Sequence, residues 1–436
     1  MDATHTKNIK RIQHRKFVSV RTARNLFFSS INFKAINSLR PEYVHLFEAN
    51  GRVLADDLFA GIDVPPFDRA DRDGYTLRSF DTKTASHSSP VSLDIVGRSS
   101  AGQGTMFPKV KPGQALAIAT GARIPQGVDS VIMIEDTTID KTNRLVKILK
   151  PMRRGANITP QGTDIKKEMI ILRKGTWLTS QDVAMIASVG LNRIAVIEKP
   201  KVGLMATGDE LTEPGYPIKN DSCIFESNRY MLSCLISDNG GQSVDLGLCE
   251  DDPQVIFEKL KSALSLEMVV ISGGASVGEK DYAPLLVRKL GKPGLVVQGI
   301  AMKPGSPTGL GIVDNKPIIV TPGFPVSSFV AFYTFGSPLL LKLLGTQGPP
   351  KATVTAKMTE TIEAFKGFQT FVRVCVYRHN GHFLAKPVSA SGASLLSTLT
   401  NSNGIVIVNN DKNQNAELKK GQVVEVTLLK NIIEKP

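Results

Sequence analysis

Between residues 199 and 347 the chain alternates short, unbroken apolar runs with stretches of helical period. Val202-Gly203-Leu204-Met205-Ala206, Met268-Val269-Val270-Ile271 and Ile318-Ile319-Val320 are apolar at successive positions. Neighbouring strand residues point to opposite faces, so such runs predict strands covered on both sides, as in a parallel sheet. The segments between them predict helices. One opens at Asn228, carries Met231, Leu232, Leu235 and Ile236, and stops at Gly240-Gly241. A second starts at Asp251-Asp252-Pro253, an acidic cap with proline in the first turn, and carries Ile256, Leu260 and Ala263-Leu264. A third begins near Val326, after Pro322-Gly323-Phe324-Pro325. Strands alternating with helices predict βαβ units and an α/β domain.

The flanking segments read differently. Residues from about 25 to 60 carry Leu26, Phe27, Ile31, Phe33, Ile36, Val44, Leu46 and Phe47 and predict helix, until Pro65-Pro66 breaks the pattern. From 67 to 150, short runs such as Val91 to Val96, Ala115 to Ala119 and Val131 to Ile134 are separated by Gly, Pro and Asn/Asp turns, which predicts a small β module. The first character resumes over 151–198, with a helix from Ser180, its expected N-cap, to a stop at Gly190. Residues 25–66 and 151–198 therefore read as one discontinuous domain with the β module 67–150 inserted. Beyond Gly348-Pro349-Pro350 the pattern is all-β. Phe371 to Tyr377 alternates toward Asn380-Gly381, a hairpin turn, and the runs at Gly404 to Val408 and Val423 to Leu428 complete a small barrel or sandwich over 348–436.

Composition narrows the class. A chain of 436 residues holds about three domains at ~100–200 residues each, more if some are small β units. No stretch approaches the ~18 consecutive apolar residues of a membrane span, and the N-terminus lacks a secretory apolar core, so a cytoplasmic protein is expected. The four cysteines show no C-x-x-C spacing and lie within apolar patterns, which predicts buried thiols, and the six histidines form no ligand pair. The net charge of +13 concentrates partly in residues 1–24, at Lys7, Lys10, Arg11, Arg15, Lys16, Arg21 and Arg24, and predicts a solvated basic arm. No zinc-finger, aromatic RNA-binding or recognition-helix pattern accompanies it, so nucleic acid is not an expected partner, and the excess suits anionic substrates.

The candidate chemistry lies where the predicted strands end. Met268 to Ile271 runs into Gly273-Gly274-Ala275-Ser276-Val277-Gly278-Glu279-Lys280-Asp281-Tyr282. Glycines let the backbone turn and direct N–H groups at an anion, and Asp281 is placed to hold a divalent cation beside it. A tight strand-to-helix connection with a capping Asp would use the same residue types. Two further runs end alike, in Thr207-Gly208-Asp209-Glu210-Leu211 and in Thr321-Pro322-Gly323, and Lys303-Pro304-Gly305-Ser306-Pro307 places a cation and a hydroxyl on one loop. Recurrent polar endings predict one ligand crevice at the carboxyl edge of a parallel sheet.

In order and spacing, these motifs resemble the molybdopterin molybdenumtransferases, the MoeA proteins and the gephyrin E domain. The resemblance runs through Pro65-Pro66-Phe67-Asp68, Asp73-Gly74-Tyr75, Thr120-Gly121-Ala122, Arg154-Gly155-Ala156-Asn157, Gly162-Thr163-Asp164, Thr207 to Leu211, Ser227-Asn228-Arg229, Gly273 to Tyr282, Lys303-Pro304-Gly305 and Pro322 to Ser327. It covers nearly the whole chain from about residue 25. It implies an elongated homodimer of four-domain subunits: a MoaB/Mog-like central α/β domain, an inserted β module and a C-terminal β barrel, with the active crevice shared between subunits. The implied reaction is magnesium-dependent insertion of molybdate into adenylylated molybdopterin with release of AMP. The implied partners are a molybdopterin adenylyltransferase upstream and apo-molybdoenzymes or carriers downstream.

Residue by residue, the resemblance implies Glu210 and Asp281, with Asp209 nearby, as magnesium-linked carboxylates. Thr207, Gly208, Asn228, Gly273, Gly274, Ser276 and Pro307 would line the phosphates or the adenylate. Lys303, Ser306, Ser327 and Arg373 would hold the oxyanion, with Ser391 or Ser394 adding a hydroxyl, and Asp73 and Asp164 are further carboxylates of the pattern. Arg373 on an alternating strand is equally open to being an outward charge. Two positions depart from the commonest pattern: Ser306 stands where many members have a second lysine, and Phe324 where many have Asn. Loss of a cation motivates the alternatives of a tungstate-inserting or degenerate paralogue, or a non-catalytic molybdopterin-binding scaffold. A nucleotide-hydrolysing enzyme built on the α/β domain alone would not need the flanking β modules.

Overall fold

The computed structural model describes residues 17–33, 39–103, 109–275, 281–389, 392–409 and 417–434. The chain forms two compact units, one from the described residues up to 42, with 51–53 and everything from 196 onward, the other from 43–50 and 54–195.

The first unit contains the α/β domain. Its strands are β1 (Lys201–Thr207), β2 (Gln242–Cys249), β3 (Met268–Ser272), β4 (Pro293–Gln298), β5 (Gly309–Val313) and β6 (Lys316–Thr321), ordered β2-β1-β3-β6-β5-β4. The first four in that order are mutually parallel, and β5 and β4 add an antiparallel edge. Helices α1 (Asn228–Asp238), α2 (Pro253–Ala263), α3 (Ala283–Leu290) and α4 (Pro325–Ala331) connect or follow the strands. The unbroken apolar runs are explained by burial on both faces. Met268 and Val270 pack with Leu232, Ile236, Phe332 and Leu340 on one side, whereas Val269 and Ile271 pack with Ile256, Leu260, Leu286 and Val287 on the other. Asp252 caps α2 by accepting from the Gln254 and Val255 N–H groups at 2.7 and 3.2 Å.

A helical run from Pro325 to Leu343 is long and apolar enough to cross a membrane, but 78% of its most apolar window is buried inside the protein, which makes it a core helix. Downstream, β7 (Thr353–Met358), β8 (Gln369–His379), β9 (His382–Ser389), β10 (Gly404–Val408) and β11 (Val423–Leu428) follow the order β8-β9-β7-β11-β10, and β10 pairs back onto β8. The sheet thus closes into a five-stranded barrel rather than a sandwich. Asn380 and Gly381 turn the β8–β9 hairpin with φ of 47° and 79°, a left-handed conformation that Asn tolerates and that Gly, lacking a Cβ, adopts freely.

The N-terminal helix departs from expectation. It spans Val20–Ser29, starting within the segment read as a basic arm, and is capped by the Ser19 hydroxyl. Ala23 and Phe27 are fully buried in the same cluster as Leu232 and Phe332. Helix does not continue to residue 60 either. Pro41–His45 is a strand followed by a single turn at Leu46–Glu48. Val44 and Leu46 are buried while Tyr43 and Phe47 are 70% and 95% exposed, so the local period is two.

In the second unit, a six-stranded sheet is ordered Ser130–Met133, Gly74–Leu77, Gln114–Ile118, Val91–Ser99, Leu145–Ile148 and Thr137–Ile139. Chain entry and exit pair beside it: Arg69–Ala70 with Ile158–Thr159, and Leu58–Phe59 with Ile170–Leu172. The helix Ser180–Ser188 is capped by Thr179, one residue earlier than expected, because the Asp182 carboxylate accepts from both the Thr179 N–H and its hydroxyl at 2.8 and 2.7 Å. Of the cysteines, all free, only Cys249 is buried; Cys223 and Cys375 are partly exposed and Cys234 is exposed. Cys234 lies on the outer face of α1, two residues from the inward Leu232 and Ile236.

Candidate functional site

The carboxyl ends of the parallel strands surround a cavity of about 730 Å³. After β1 the wall is Thr207, Gly208 and Glu210; after β2, Asp251; after β3, Gly273, Gly274 and Ala275; after β6, Pro322, Gly323 and Phe324. Parallel strands end on the same edge of a sheet, so four polar endings distant in sequence converge.

Close backbone approach holds this edge together. The Gly273 N–H donates to the Thr321 carbonyl at 3.0 Å and the Gly208 N–H to the Cys249 carbonyl at 3.2 Å. These two N–H groups thus extend the sheet instead of pointing at an anion, contrary to expectation. A Cβ on Gly273, where φ is +101°, would lie 2.3 Å from the Thr207 carbonyl oxygen. The Asn228 amide nitrogen, at the start of α1, donates to the Ser272 hydroxyl and the Gly323 carbonyl, both at 2.8 Å, and so ties β3 to the turn after β6.

Next to Asn228, Arg229 is 4% exposed and pairs with Glu213, with Asp245 at 2.5 Å and with Glu226 at 3.4 Å. Glu226 also lines the cavity. Burial pushes its carboxyl above the ordinary range, opposed by the Arg229 N–H and guanidinium. Arg229 of the Ser-Asn-Arg motif is therefore the buried counter-charge that anchors α1.

Three segments of the chain match known families: the MoeA N-terminal region (domain I and II) over residues 18–190, a probable molybdopterin binding domain over 203–342, and the MoeA C-terminal region (domain IV) over 355–429. The chain belongs to the MoeA family. It is 31% identical over 392 residues to the molybdopterin molybdenumtransferase of Bacillus subtilis, covering 89% of this chain and 90% of that protein. It is 33% identical over 380 residues to the enzyme of the same name from Haemophilus influenzae, covering 85% and 90%. The crystal structure of the molybdopterin biosynthesis MoeA protein from Pyrococcus horikoshii superposes with a TM-score of 0.80 at 33% identity, over 95% of this chain and all of that one.

Within the family pattern, the structure gathers Thr207, Gly208, Glu210, Asn228, Gly273, Gly274, Asp281 and Pro307 on the cavity, and Ser394 joins them from the C-terminal region. Ser276 and Ser391 lie outside the described residues. Asp209, adjacent to Glu210, is not among the lining residues; its carboxylate accepts from the Asp251 N–H at 3.0 Å. The remaining expected oxyanion residues also lie off this cavity. The Ser306 hydroxyl donates to the Met302 carbonyl at 2.7 Å, and Ser327 is 3% exposed on α4. Lys303 holds its ammonium over the rings of Phe368 and Phe365, 5.3 and 5.6 Å from their centroids. Arg373 is fully buried on β8, not an outward charge, and donates to the Phe371 carbonyl at 3.4 Å. Burial lowers its pKa to about 10, which leaves it protonated at neutral pH. Asp73 and Asp164 belong to the other compact unit, where Asp73 accepts from the Thr120 N–H at 2.8 Å and the Asp164 N–H donates to the Val64 carbonyl at 3.0 Å.

The donor set suits magnesium in one form. Among the described residues no group of three or more His, Cys, Asp or Glu is arranged to hold an ion. Glu210 and Asp281 nonetheless line one cavity. Magnesium is usually held by one or two carboxylates together with substrate phosphates, and these two residues fit that arrangement, not a closed protein cage. Asp251, Glu226, Ser272, Leu211, Ile224 and Phe225 also line the cavity without having been expected there as site residues, and Phe324, singled out in the sequence only as a departure from the family turn, completes its apolar wall. The signal for Asp251 was available, since it follows β2 as Gly208 follows β1. It was hidden because β2 is an edge strand whose Gln242, Ser243 and Asp245 break the apolar run.

Proposed function

We propose that this chain is a magnesium-dependent molybdopterin molybdenumtransferase that inserts molybdate into adenylylated molybdopterin with release of AMP. The observation that carries the proposal is the convergence of Glu210 and Asp281, from two different strand ends, on one glycine-walled cavity. Its relatives of about one-third identity bear that enzyme name over most of both chains. Cleaving a phosphoanhydride develops negative charge on the phosphate oxygens, and a bound magnesium ion supplies the neutralising charge. Glu210 and Asp281 would hold it against the substrate's phosphates. Gly273 and Gly274 would admit those phosphates close to the backbone; a Cβ on Gly273 would collide with the Thr207 carbonyl oxygen at 2.3 Å, whereas one on Gly274 would crowd the Thr207 hydroxyl at 3.2 Å.

Molybdate is a substrate here. Of the residues proposed to attract it, Ser306 already engages its hydroxyl and Arg373 is fully buried on the outer face of the barrel, the face it shares with Phe371 and Ile405, so the proposal places the attraction on Lys303. Asp73 and Asp164 are retained as proposed carboxylates of the same reaction in a cytoplasmic homodimer. A molybdopterin adenylyltransferase would supply the substrate, and apo-molybdoenzymes or carriers would take the product.

The test is AMP release and cofactor formation by the purified protein with adenylylated molybdopterin and magnesium, run with molybdate and with tungstate. Oxyanion-dependent release is expected, and the better oxyanion identifies the metal. Glu210→Gln and Asp281→Asn should each lower turnover by about 100-fold or more with dimerisation unchanged. Full activity in both variants would remove the carboxylates from the reaction.

A further inference from the structure

Phe324 has no role in the fold that accounts for it. It is the N-cap residue of α4, with φ −71° and ψ 130°, but its side chain makes no capping hydrogen bond, and Phe is a poor cap where Ser, Thr, Asp or Asn would serve. It contributes little to the core, because it is 58% exposed. It is nevertheless held on a rigid turn. Prolines flank the Gly323-Phe324 pair, Asn228 binds the Gly323 carbonyl, and the Phe324 carbonyl accepts from the Ser328 N–H at 2.9 Å. Its side chain faces the cavity whose wall also carries Ile224 and Phe225, themselves 59% and 47% exposed.

The cavity therefore has two chemical ends. Glu210, Asp251, Asp281 and the glycine turns suit phosphates with their cation, whereas Leu211, Ile224, Phe225 and Phe324 would remain wet if only phosphate or molybdate bound. A volume of about 730 Å³ also far exceeds what a tetrahedral oxyanion fills and lies in the range of drug-sized ligands. A rigidly presented, half-exposed phenyl ring is matched by a planar heteroaromatic ring, which stacks on it and covers apolar surface at small entropic cost.

We propose that Phe324 is a specificity-determining residue that stacks on a planar heteroaromatic ring of the phosphate-linked substrate, with Ile224 and Phe225 covering the same ring system. This rests on the proposed function, whose substrate carries two such rings, adenine and pterin.

Equilibrium binding to the full-length protein separates the sources. The probes are AMP with magnesium, adenylylated molybdopterin with magnesium, and pyrophosphate with magnesium as a ringless control. Phe324→Ala should weaken binding of a ring-bearing probe by about 5- to 100-fold and leave pyrophosphate unchanged. Weakening of AMP assigns the contact to adenine; weakening of adenylylated molybdopterin alone assigns it to pterin. Phe324→Leu should not restore affinity, whereas Phe324→Trp should restore it, with indole emission quenched on binding when Trp177 is replaced by Phe so that residue 324 is the sole reporter. Unchanged affinity of Phe324→Ala for both ring-bearing probes, full rescue by Phe324→Leu, or conversion of a dimer to monomers by Phe324→Ala would overturn the inference. Failure of the wild-type protein to bind either ring-bearing probe would instead overturn the proposed function.

Discussion

Replacing Gly273 with Ala tests whether the cavity floor depends on contact between the two strand ends. Gly273 has a φ of +101°, and an added Cβ would meet the Thr207 carbonyl oxygen at 2.3 Å, far inside ordinary contact. The left-handed conformation alone costs a non-glycine residue about 1–3 kcal/mol. Moving the backbone to relieve the clash would also stretch the bond from the Gly273 N–H to the Thr321 carbonyl, now 3.0 Å, at a further ~1 kcal/mol. The combined loss is about 2–4 kcal/mol, or roughly 30- to 700-fold in a local opening equilibrium. Hydrogen–deuterium exchange of peptides spanning 201–207 and 268–275 reads that opening directly and avoids assuming that a multidomain chain unfolds in one step. Gly274→Ala is the internal comparison. Its φ is +59° and its Cβ would be crowded by the Thr207 hydroxyl oxygen at 3.2 Å, with Ala283 at an ordinary 3.6 Å, so a smaller effect of about 1 kcal/mol is expected, and Thr207→Ala should relieve part of it. The same Thr207→Ala change should not rescue Gly273→Ala, whose obstacle is backbone. Protection in Gly273→Ala within about threefold of wild type, or its recovery on adding Thr207→Ala, would refute the reasoning.

Arg229→Met removes the buried cation facing Glu226 and should loosen the start of α1 by about 3–5 kcal/mol, seen as faster exchange over 224–238. Adding Glu226→Gln should recover part of the loss, since the stranded carboxylate is then neutral. Asp140 organises the turn before Leu145, and the hydrogen bond from the Thr142 hydroxyl, followed by those from the backbone N–H groups of Leu145, Thr142 and Arg144, holds its pKa down to about 2 from 3.8. A carboxylate with a depressed pKa stabilises the fold above its unfolded value, so protection over 137–148 should be intact above pH 3.8 and fall as the pH drops through about 2. Asp140→Asn should flatten that profile, and an unchanged acid profile in the variant would remove Asp140 as its cause.

Much of the α/β domain was legible because its signals are local. Strands buried on both faces require unbroken apolar runs, and helix ends are marked by Gly240 and Pro253 through backbone conformation and by Asp252 through its capping carboxylate. The Asn380-Gly381 hairpin was equally plain. The N-terminal third was less so. The first half of Val20–Ser29, up to Arg24, looked like part of a charged arm because Ala23 is its only buried residue, and Val44 with Leu46 satisfied a helical pattern until their neighbours proved exposed.

The sequence by itself placed glycines and carboxylates at the ends of β1 and β3, because sharp turns after buried strands demand those residue types whatever the rest of the fold does. Only the tertiary structure decided which of them share a cavity. Glu210 lines it and Asp209 does not, since neighbouring residues on a turn point different ways and the Asp251 N–H claims Asp209. It also decided the fate of the charges: Arg229 lies among three acidic residues, and Arg373 is buried on the strand face it shares with Phe371 and Ile405, away from the barrel interior. Burial and pairing are set by segments far apart in the chain, and no local pattern around a single arginine records what will fold over it.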